Sequence, residues 1–582
     1  MTKQATTKQA GNKQVQNNTQ IRLATAILWA PALAFAQAVP DAGHILEQNR
    51  PPALVRQPAA TGKIVPDVAP SQNLVLEGAQ KVMVKQFVLQ GVSAFPQSAV
   101  QAVLAPFSGR ELGFAELQQA CNAVTAYYRS RGYFVASAVL PAQEIGHGEV
   151  KIQVLEGRIS HVRMAPDASV RLRPGQSRRY IDALVPAGQP VQEDALERAL
   201  LLTQDYPGVT ARAELSRGER LGESALAVQL AEAPLASGQV SIDNSSNRYT
   251  GSTRLSGALN LNDLGGMGGQ LALLASAAGD GFRYGRAAYV APVGSSGLRA
   301  GAAVSRLNYK LGAEFAALDA HGKATVAQLV ATYPLIRSRS TNLQLRTGFD
   351  DKRYENFANG AVTSDKRVQL VPLAASFSRQ GDNSAIQASL ELSAGRLDLS
   401  GNAAAEAADA VAARSAGHFA HLAYQLGRFQ RLPGNFGLML NASGQFASRN
   451  LESGEKMSLG GPGRVRAYPA GEASGDEGHV INAELHYELP ALRTNLSAFV
   501  DVGHVRLNHR VFAGALAANG PGNSYSLKGA GVGAAWRAAN GAALQVQVAT
   551  RIGDNPGRGA NGEDADGKSS RVRAWFTASH PF

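Results

Sequence analysis

Two stretches of this chain carry opposite charges that chemistry could bring together. Residues 460–478, GGPGRVRAYPAGEASGDEG, hold Arg464 and Arg466 near one end and Glu472, Asp476 and Glu477 near the other. With its glycines, Pro462 and Pro469, the run is neither a helix nor a central strand. Further on, LSAFVDVGHV (496–505) alternates, so Leu496, Ala498, Val500 and Val502 share one face and Phe499, Asp501 and Gly503 the other. The chemistry on offer is a clasp. A guanidinium fork grips a carboxylate through parallel hydrogen bonds, and a carboxylate in a confined space is costly without such a partner. A glycine-rich loop can fold back over the strand, which makes Arg466 the natural partner of Asp501. Tyr468 and Phe499 are expected to pack beside the pair, and Arg464 to be a solvated charge. On these residues alone the alternative stays open: Asp501 hydrated in a wide channel, with the loop outside.

Other reactive side chains point to no catalysis. The eleven histidines form no metal spacing, no nucleophile–base motif stands out, and there is no P-loop. Cys121, the single cysteine, excludes an intramolecular disulfide and sits at helical apolar spacing, where a buried, inert thiol is expected. GAGVGAAW (529–536) has the glycines of a dinucleotide loop but no βαβ unit around it, and reads as a glycine-rich strand. No enzyme activity, cofactor or metal is expected.

What would position such a clasp is legible in the texture of the 582-residue chain. Residues 1–36, with Lys3, Lys8, Lys13 and Arg22 ahead of the apolar run LATAILWAPALAFA, read as a signal peptide ending in a small-x-small site. Removing those four cations takes the formal charge from +12 to +8, too thinly spread to be a nucleic-acid footprint. Residues 37–80 read as a short helix begun by PDAGHILEQ and a Pro-rich linker. VMVKQFVLQG, PQSAVQAVLAPF, FAELQQACNAVTAYYRSRGY, FVASAVLP (134–141) and GEVKIQVLEG then spell strand–helix–helix–strand–strand over 81–158. A more degenerate copy follows over 159–236. FVASAVL is short, apolar and uncharged, the mark of a sheet edge that could capture an extended peptide, with Val135, Ser137 and Val139 as its contact residues.

From residue 237 the period changes to two. TRLSGALNL, FGLMLNASGQF and VINAELHYEL each put apolar residues on one face and Asn, Ser, Gln or Glu on the other. No run of eighteen apolar residues occurs in this region, so a membrane-embedded form must be a barrel. The 346 residues over 237–582 accommodate about sixteen strands. The fold expected is mainly β: a transmembrane antiparallel barrel behind two small α+β domains.

VRAY (465–468) in a long loop, with FVDVG (499–503) on a following strand, resembles the paired signature of the BamA/TpsB superfamily. SLGGPGRVRAYPAGEASGDEG and DNSSNRYTG…LNDLGGMGGQL are similar to it as well, and RVRAWFTASHPF resembles the closing strand of a bacterial outer-membrane barrel. The two repeats resemble POTRA domains. Two of them behind a short helix and linker are similar to the TpsB transporters of two-partner secretion, of the ShlB/FhaC/HecB haemolysin secretion/activation type. That resemblance implies a loop over 459–479 reaching into the barrel, with Arg466, Asp501, Val465, Tyr468, Phe499 and Gly503 as its lock. It implies periplasmic POTRA domains and outer-membrane export, without nucleotide, of a large unfolded TpsA-type exoprotein such as an adhesin, haemolysin or contact-dependent toxin. The partners implied are that exoprotein and outer-membrane lipid, with no nucleic acid. Ala467 stands where the family usually has glycine, a departure expected to restrict the loop tip. Barrel assembly of the BamA/TamA type, usually with three or more such domains, is the alternative. A passive porin would lack the repeats, and a lipid hydrolase would need a Ser–His pair.

Overall fold

The computed structural model describes residues 39–49, 65–66, 81–516, 520–559 and 561–582. The expected signal peptide and most of the linker lie outside the described residues.

Alternation with period two becomes a closed barrel of sixteen antiparallel strands, from Ala236–Asp243 to Val572–Pro581, each paired with its neighbours in sequence. The ring closes where the first strand meets the last, Gln239 opposite Pro581 through Asp243 opposite Thr577. Gly238 and Phe582 extend that seam by exchanging two backbone hydrogen bonds of 2.9 Å. Closure removes the unpaired edge, which is the condition for strands to cross lipid. Among the described residues no helix is long and apolar enough to cross a membrane. The parity read from sequence divides the wall: Leu255, Leu440, Ile481 and Val500 point outward, while Tyr284, Leu307, Tyr354 and Asp501 are buried within.

Ahead of the barrel stand two α+β units. The first holds the parallel pair Gln86–Gln90 and Glu149–Leu155, with Ser137–Val139 added antiparallel at the sheet's edge. Against this sheet packs the helix Phe114–Arg129, whose Leu117, Cys121, Val124 and Tyr128 are all buried, as the 3-and-4 spacing requires. The single strand expected in VMVKQFVLQG is broken at Lys85, and its first part, Val82–Val84, pairs instead with Arg110–Leu112, a strand absent from the sequence reading. The second unit pairs Arg158–Pro166, Glu223–Glu232 and Val209–Arg217, with helices Pro174–Leu184 and Glu193–Gln204 behind. The first of those helices starts earlier than RYIDALV because Pro174 opens it, a position that suits proline's missing N–H.

The second unit is seated on the barrel turns at one end. Arg337 forks onto Asp205 at 2.9 and 3.0 Å, and Arg198 reaches the Pro334 carbonyl at 2.7 Å. The backbone N–H of Arg339 donates to Glu197 at 2.6 Å. Hairpins at the other end, with the long loop between Phe436–Ala447 and Glu477–Leu489, lie away from the two α+β units.

Candidate functional site

The glycine-rich loop folds into the lumen. A two-residue ladder, Met457–Ser458 with Ser474–Gly475, closes its neck. Gly461, Gly471 and Ala473 take positive φ where the chain reverses. Leu459, Val465, Ala467 and Tyr468 are buried against the inward-facing Val480, Phe499, Val505, Leu527 and Ala549 of the wall.

At its tip the loop meets Asp501. Arg466 donates to that carboxylate three times, through its backbone N–H at 3.0 Å, Nε at 2.9 Å and a terminal nitrogen at 2.7 Å. Its other terminal nitrogen reaches Glu484 at 2.7 Å. Asn482 donates to Asp501 at 2.8 Å and, from the same amide, to the Arg464 carbonyl at 2.8 Å. The guanidinium lies over the Phe499 ring, 3.3 Å from its centroid, and Trp575 donates its indole N–H to the Arg466 carbonyl at 2.7 Å. Arg466 and Asp501 are 4% and 0% exposed, so one cation is held between two carboxylates away from bulk water. In such a setting removal of one partner costs far more than at a surface.

Each position of the strand motif has a physical reason. Phe499 supplies the flat face under the guanidinium, and Asp501 the charge. Gly503 leaves space, since a Cβ there would sit 3.0 Å from Val465 and 3.2 Å from Leu459. The glycines of GAGVGAAW do the same from the next strand, Ser524–Arg537. A Cβ at Gly531 would meet the Phe499 ring at 2.6 Å, and one at Gly529 the Ala467 methyl at 2.7 Å. Ala467 is outside the positive-φ residues and fully buried, its methyl resting on Gly529. The expected restriction at the tip therefore carries no strain, because Ala467 does not take the positive φ that would call for glycine, and Gly529 leaves room for its methyl.

One expectation needs correction. Arg464 is not a solvated charge: it donates to the backbone carbonyl and hydroxyl of Ser458 and lies 3.5 Å from Glu47 of the N-terminal helix. Tyr468 is buried in the same cluster as Phe499 and has anchors of its own. Its hydroxyl reaches the Lys528 carbonyl at 3.3 Å, and its ring faces the Arg551 guanidinium at 5.0 Å. The other acidic end of the loop is anchored too. Glu472 accepts from Asn555 at 2.9 Å and from the Ala565 N–H at 2.7 Å, and Asp476 from the Leu451 and His509 N–H groups. Glu484 and Asn482 were within reach of sequence, because they share the polar parity of VINAELHYEL. Trp575, Asn555 and Arg551 carried no such signal.

The helix Ala42–Gln48 stands inside the barrel. Asp41 caps it by accepting from the His44 N–H, and also takes Lys366 at 2.9 Å and the Ser453 hydroxyl at 2.7 Å. Asn356 accepts the Ala42 N–H at 2.8 Å, and Ile45 is fully buried among Tyr309, Tyr354 and other lumen residues. Glu47 on Arg464 ties this helix to the folded loop.

The peptide-capture edge differs from expectation. Only Ser137–Val139 is strand, and Val135 lies before it, against Gly157 and the apolar core of the second unit. In an antiparallel pair alternate residues turn their N–H outward. Here that residue is Ala138, and its N–H donates to Thr125 Oγ1 at 2.9 Å, while the Ala136 carbonyl accepts Arg129 Nε at 3.2 Å. Side chains of the helix therefore occupy part of the edge.

Residues 222–534 match the family model of the haemolysin secretion/activation protein ShlB/FhaC/HecB, and residues 82–157 that of the ShlB-type POTRA domain. The heme/hemopexin transporter protein HuxB of Haemophilus influenzae strain 86-028NP is 28% identical over 560 residues, covering 91% of this chain and 94% of the relative. Its counterpart in strain Rd is 30% identical over 466 residues, covering 78% and 80%. Among solved structures, CdiB from Escherichia coli superposes with a TM-score of 0.68 at 17% identity, over 93% of this chain and 96% of CdiB.

Proposed function

The chain belongs to the haemolysin secretion/activation family ShlB/FhaC/HecB, and from that footing we propose that its barrel exports an unfolded exoprotein through the lumen now filled by the loop and the helix. It is an outer-membrane transporter whose α+β units lie in the periplasm, and it acts on a secreted partner protein. The observation that carries the finer reading is the lumen itself. A loop clasped to Asp501 and a helix held by Lys366 and Ser453 fill the space a chain in transit would need. Both are held by side-chain contacts that can be exchanged, whereas the wall is continuous backbone hydrogen bonding. No nucleotide chemistry is required, because folding outside the cell supplies the direction of travel.

Capture at the Ser137–Val139 edge remains our proposal for the first contact, with Thr125 and Arg129 giving way to the incoming strand. Ala138→Pro removes the one outward N–H without touching the native pairing and should lower export. Ser137 and Val139 face the partner strand, so proline there would damage the sheet instead. The transport reading is tested by deleting the gene while leaving that of the cognate exoprotein. The exoprotein should then be retained in the periplasm, with other outer-membrane barrels assembled normally. Loss of those other barrels would instead indicate an assembly factor.

A further inference from the structure

The sheet of the second α+β unit ends in the strand Val209–Arg217, and the direction of that strand's outer groups follows from its pairing. At its two ends the Ala233 N–H donates to the Gly208 carbonyl and the Gly218 N–H to the Glu223 carbonyl, both at 2.9 Å. The register between them is unbroken. Hydrogen-bonded pairs therefore fall on the even-numbered residues. The N–H and C=O groups of Val209, Ala211, Ala213, Leu215 and Arg217 point away from the sheet. Such an outward row is what an extended peptide pairs with.

The row is closed at one end and lightly held at the other. The Val209 N–H donates to the Tyr206 carbonyl at 3.1 Å, and the Ala211 carbonyl accepts Gln204 Nε2 at 2.6 Å. Further along, the cover is a stretch of linker: Val65 and Pro66 pair in parallel with Glu214 and Leu215. This ladder is two residues long against a strand of nine, and Pro66 has no N–H to give it. Arg212, Glu214, Ser216 and Arg217 are exposed. The edge thus already takes an extended segment through the main chain, and holds that segment by few bonds. At the Ser137–Val139 edge, by contrast, the outward N–H is taken by Thr125 of the unit's own helix.

We propose that the outer edge over Ala213–Arg217 is a strand-acceptor site for the exported polypeptide, and that Val65–Pro66 occupies it as an exchangeable placeholder. The occupant is an extended stretch of unfolded chain, recognised by its backbone, so no single sequence is demanded. The inference rests on the transport reading and gives the same partner a second docking site. The displaced segment belongs to the linker that follows the helix Ala42–Gln48 in the lumen, so capture at this edge reaches the plug along the chain.

The full chain would carry the photo-crosslinker p-benzoylphenylalanine in place of Glu214, in cells with and without the gene of the cognate exoprotein. Without the exoprotein, irradiation should join residue 214 to the linker, as read by mass spectrometry of the digested chain. With it, the linker adduct should fall and an adduct with the exoprotein should appear. Weakening the placeholder by Val65→Gly with Pro66→Gly should raise the exoprotein adduct roughly five-fold, the weight of one backbone hydrogen bond. Ala213→Pro removes an outward N–H and no bond of the native ladder, and should lower the exoprotein adduct by at least the same factor. If that variant does not assemble, the linker variant still decides, because it alters no residue of the unit's own three strands. An exoprotein that is secreted without cross-linking at residue 214, or a linker adduct that its presence leaves unchanged, overturns the site and leaves the transport reading standing. So does an exoprotein adduct indifferent to the two glycine substitutions. Failure of the wild type to secrete the exoprotein would instead bring down the transport reading, and this site with it.

Discussion

Removing Arg466 should be worse than removing Asp501, and the clasp geometry says by how much. Asp501→Ala deletes a carboxylate that accepts four hydrogen bonds, yet Arg466 keeps Glu484 at 2.7 Å and the Phe499 ring beneath it. The cost is that of hydrogen bonds to a charged group, about 1.5–3 kcal/mol. Arg466→Ala leaves two carboxylates, Asp501 and Glu484, in a space that is nearly closed to water, with the Asn482 amide as Asp501's remaining side-chain donor. Breaking a buried pair in this way costs about 3–5 kcal/mol. That displaces the docked-loop equilibrium by roughly 150- to 4,000-fold, at 1.4 kcal/mol per decade. The double variant should be no worse than Arg466→Ala and should recover part of its loss, because deleting Asp501 then removes one stranded charge. Trp575 provides the readout, since its indole is 8% exposed and bonded to the Arg466 carbonyl. Of the other two tryptophans, Trp29 lies in the expected signal peptide, and the assay would be run in a Trp536→Phe background. Undocking should red-shift Trp575 emission and lower secretion in the same order: Arg466→Ala, then Asp501→Ala. Additive single effects, the reverse order, or an equal red shift in Arg464→Ala would refute the clasp as the element that holds the loop.

Gly529→Ala should push the new methyl into Ala467 and cost about 1–3 kcal/mol of overpacking, with the Trp575 shift restored by Ala467→Gly in the same chain. Arg464→Ala removes the link to Glu47 and should raise single-channel conductance with little change at Trp575, as should deletion of residues 37–48; an unchanged pore in both would mean that the helix does not plug it. In the first periplasmic unit, burial works to raise the Glu156 pKa, but donors from Ala94, Ser93 and Tyr128 outweigh it and hold the group below the usual carboxylate range. A depressed native pKa adds stability that is complete above the unfolded value near about 4.3 and is lost as pH falls through the native one. Near-UV circular dichroism of the Phe95–Tyr128–Tyr133 cluster should therefore weaken on acidification below that range in wild type, and change less in Glu156→Gln.

Alternation and helical spacing are properties of the chain itself; they pointed to the barrel and to the inward face of Asp501, and the length of the alternating region supplied the strand number. A strand's side chains must alternate whatever lies around it, so Leu496 to Val502 assigned the lipid face without any partner being known. The same parity contained Asn482 and Glu484. What it lacked was a reason to bring them to Arg466, because that meeting depends on how far a loop travels into a lumen. Arg464 and Arg466 are two residues apart in a segment without period. Only the folded loop sends one to Asp501 and the other to the helix Ala42–Gln48. The edge strand shows the same limit from the other side: FVASAVL has strand composition throughout, but the packing of Val135 into the neighbouring unit leaves three residues paired. Nor could sequence foresee that Gly529 would answer Ala467, 62 residues away, since both are ordinary in their own segments. Local periodicity reports a residue's facing because sterics act between neighbours. Which distant residue it faces is decided by closure of the barrel, where contacts that are remote along the chain are formed together.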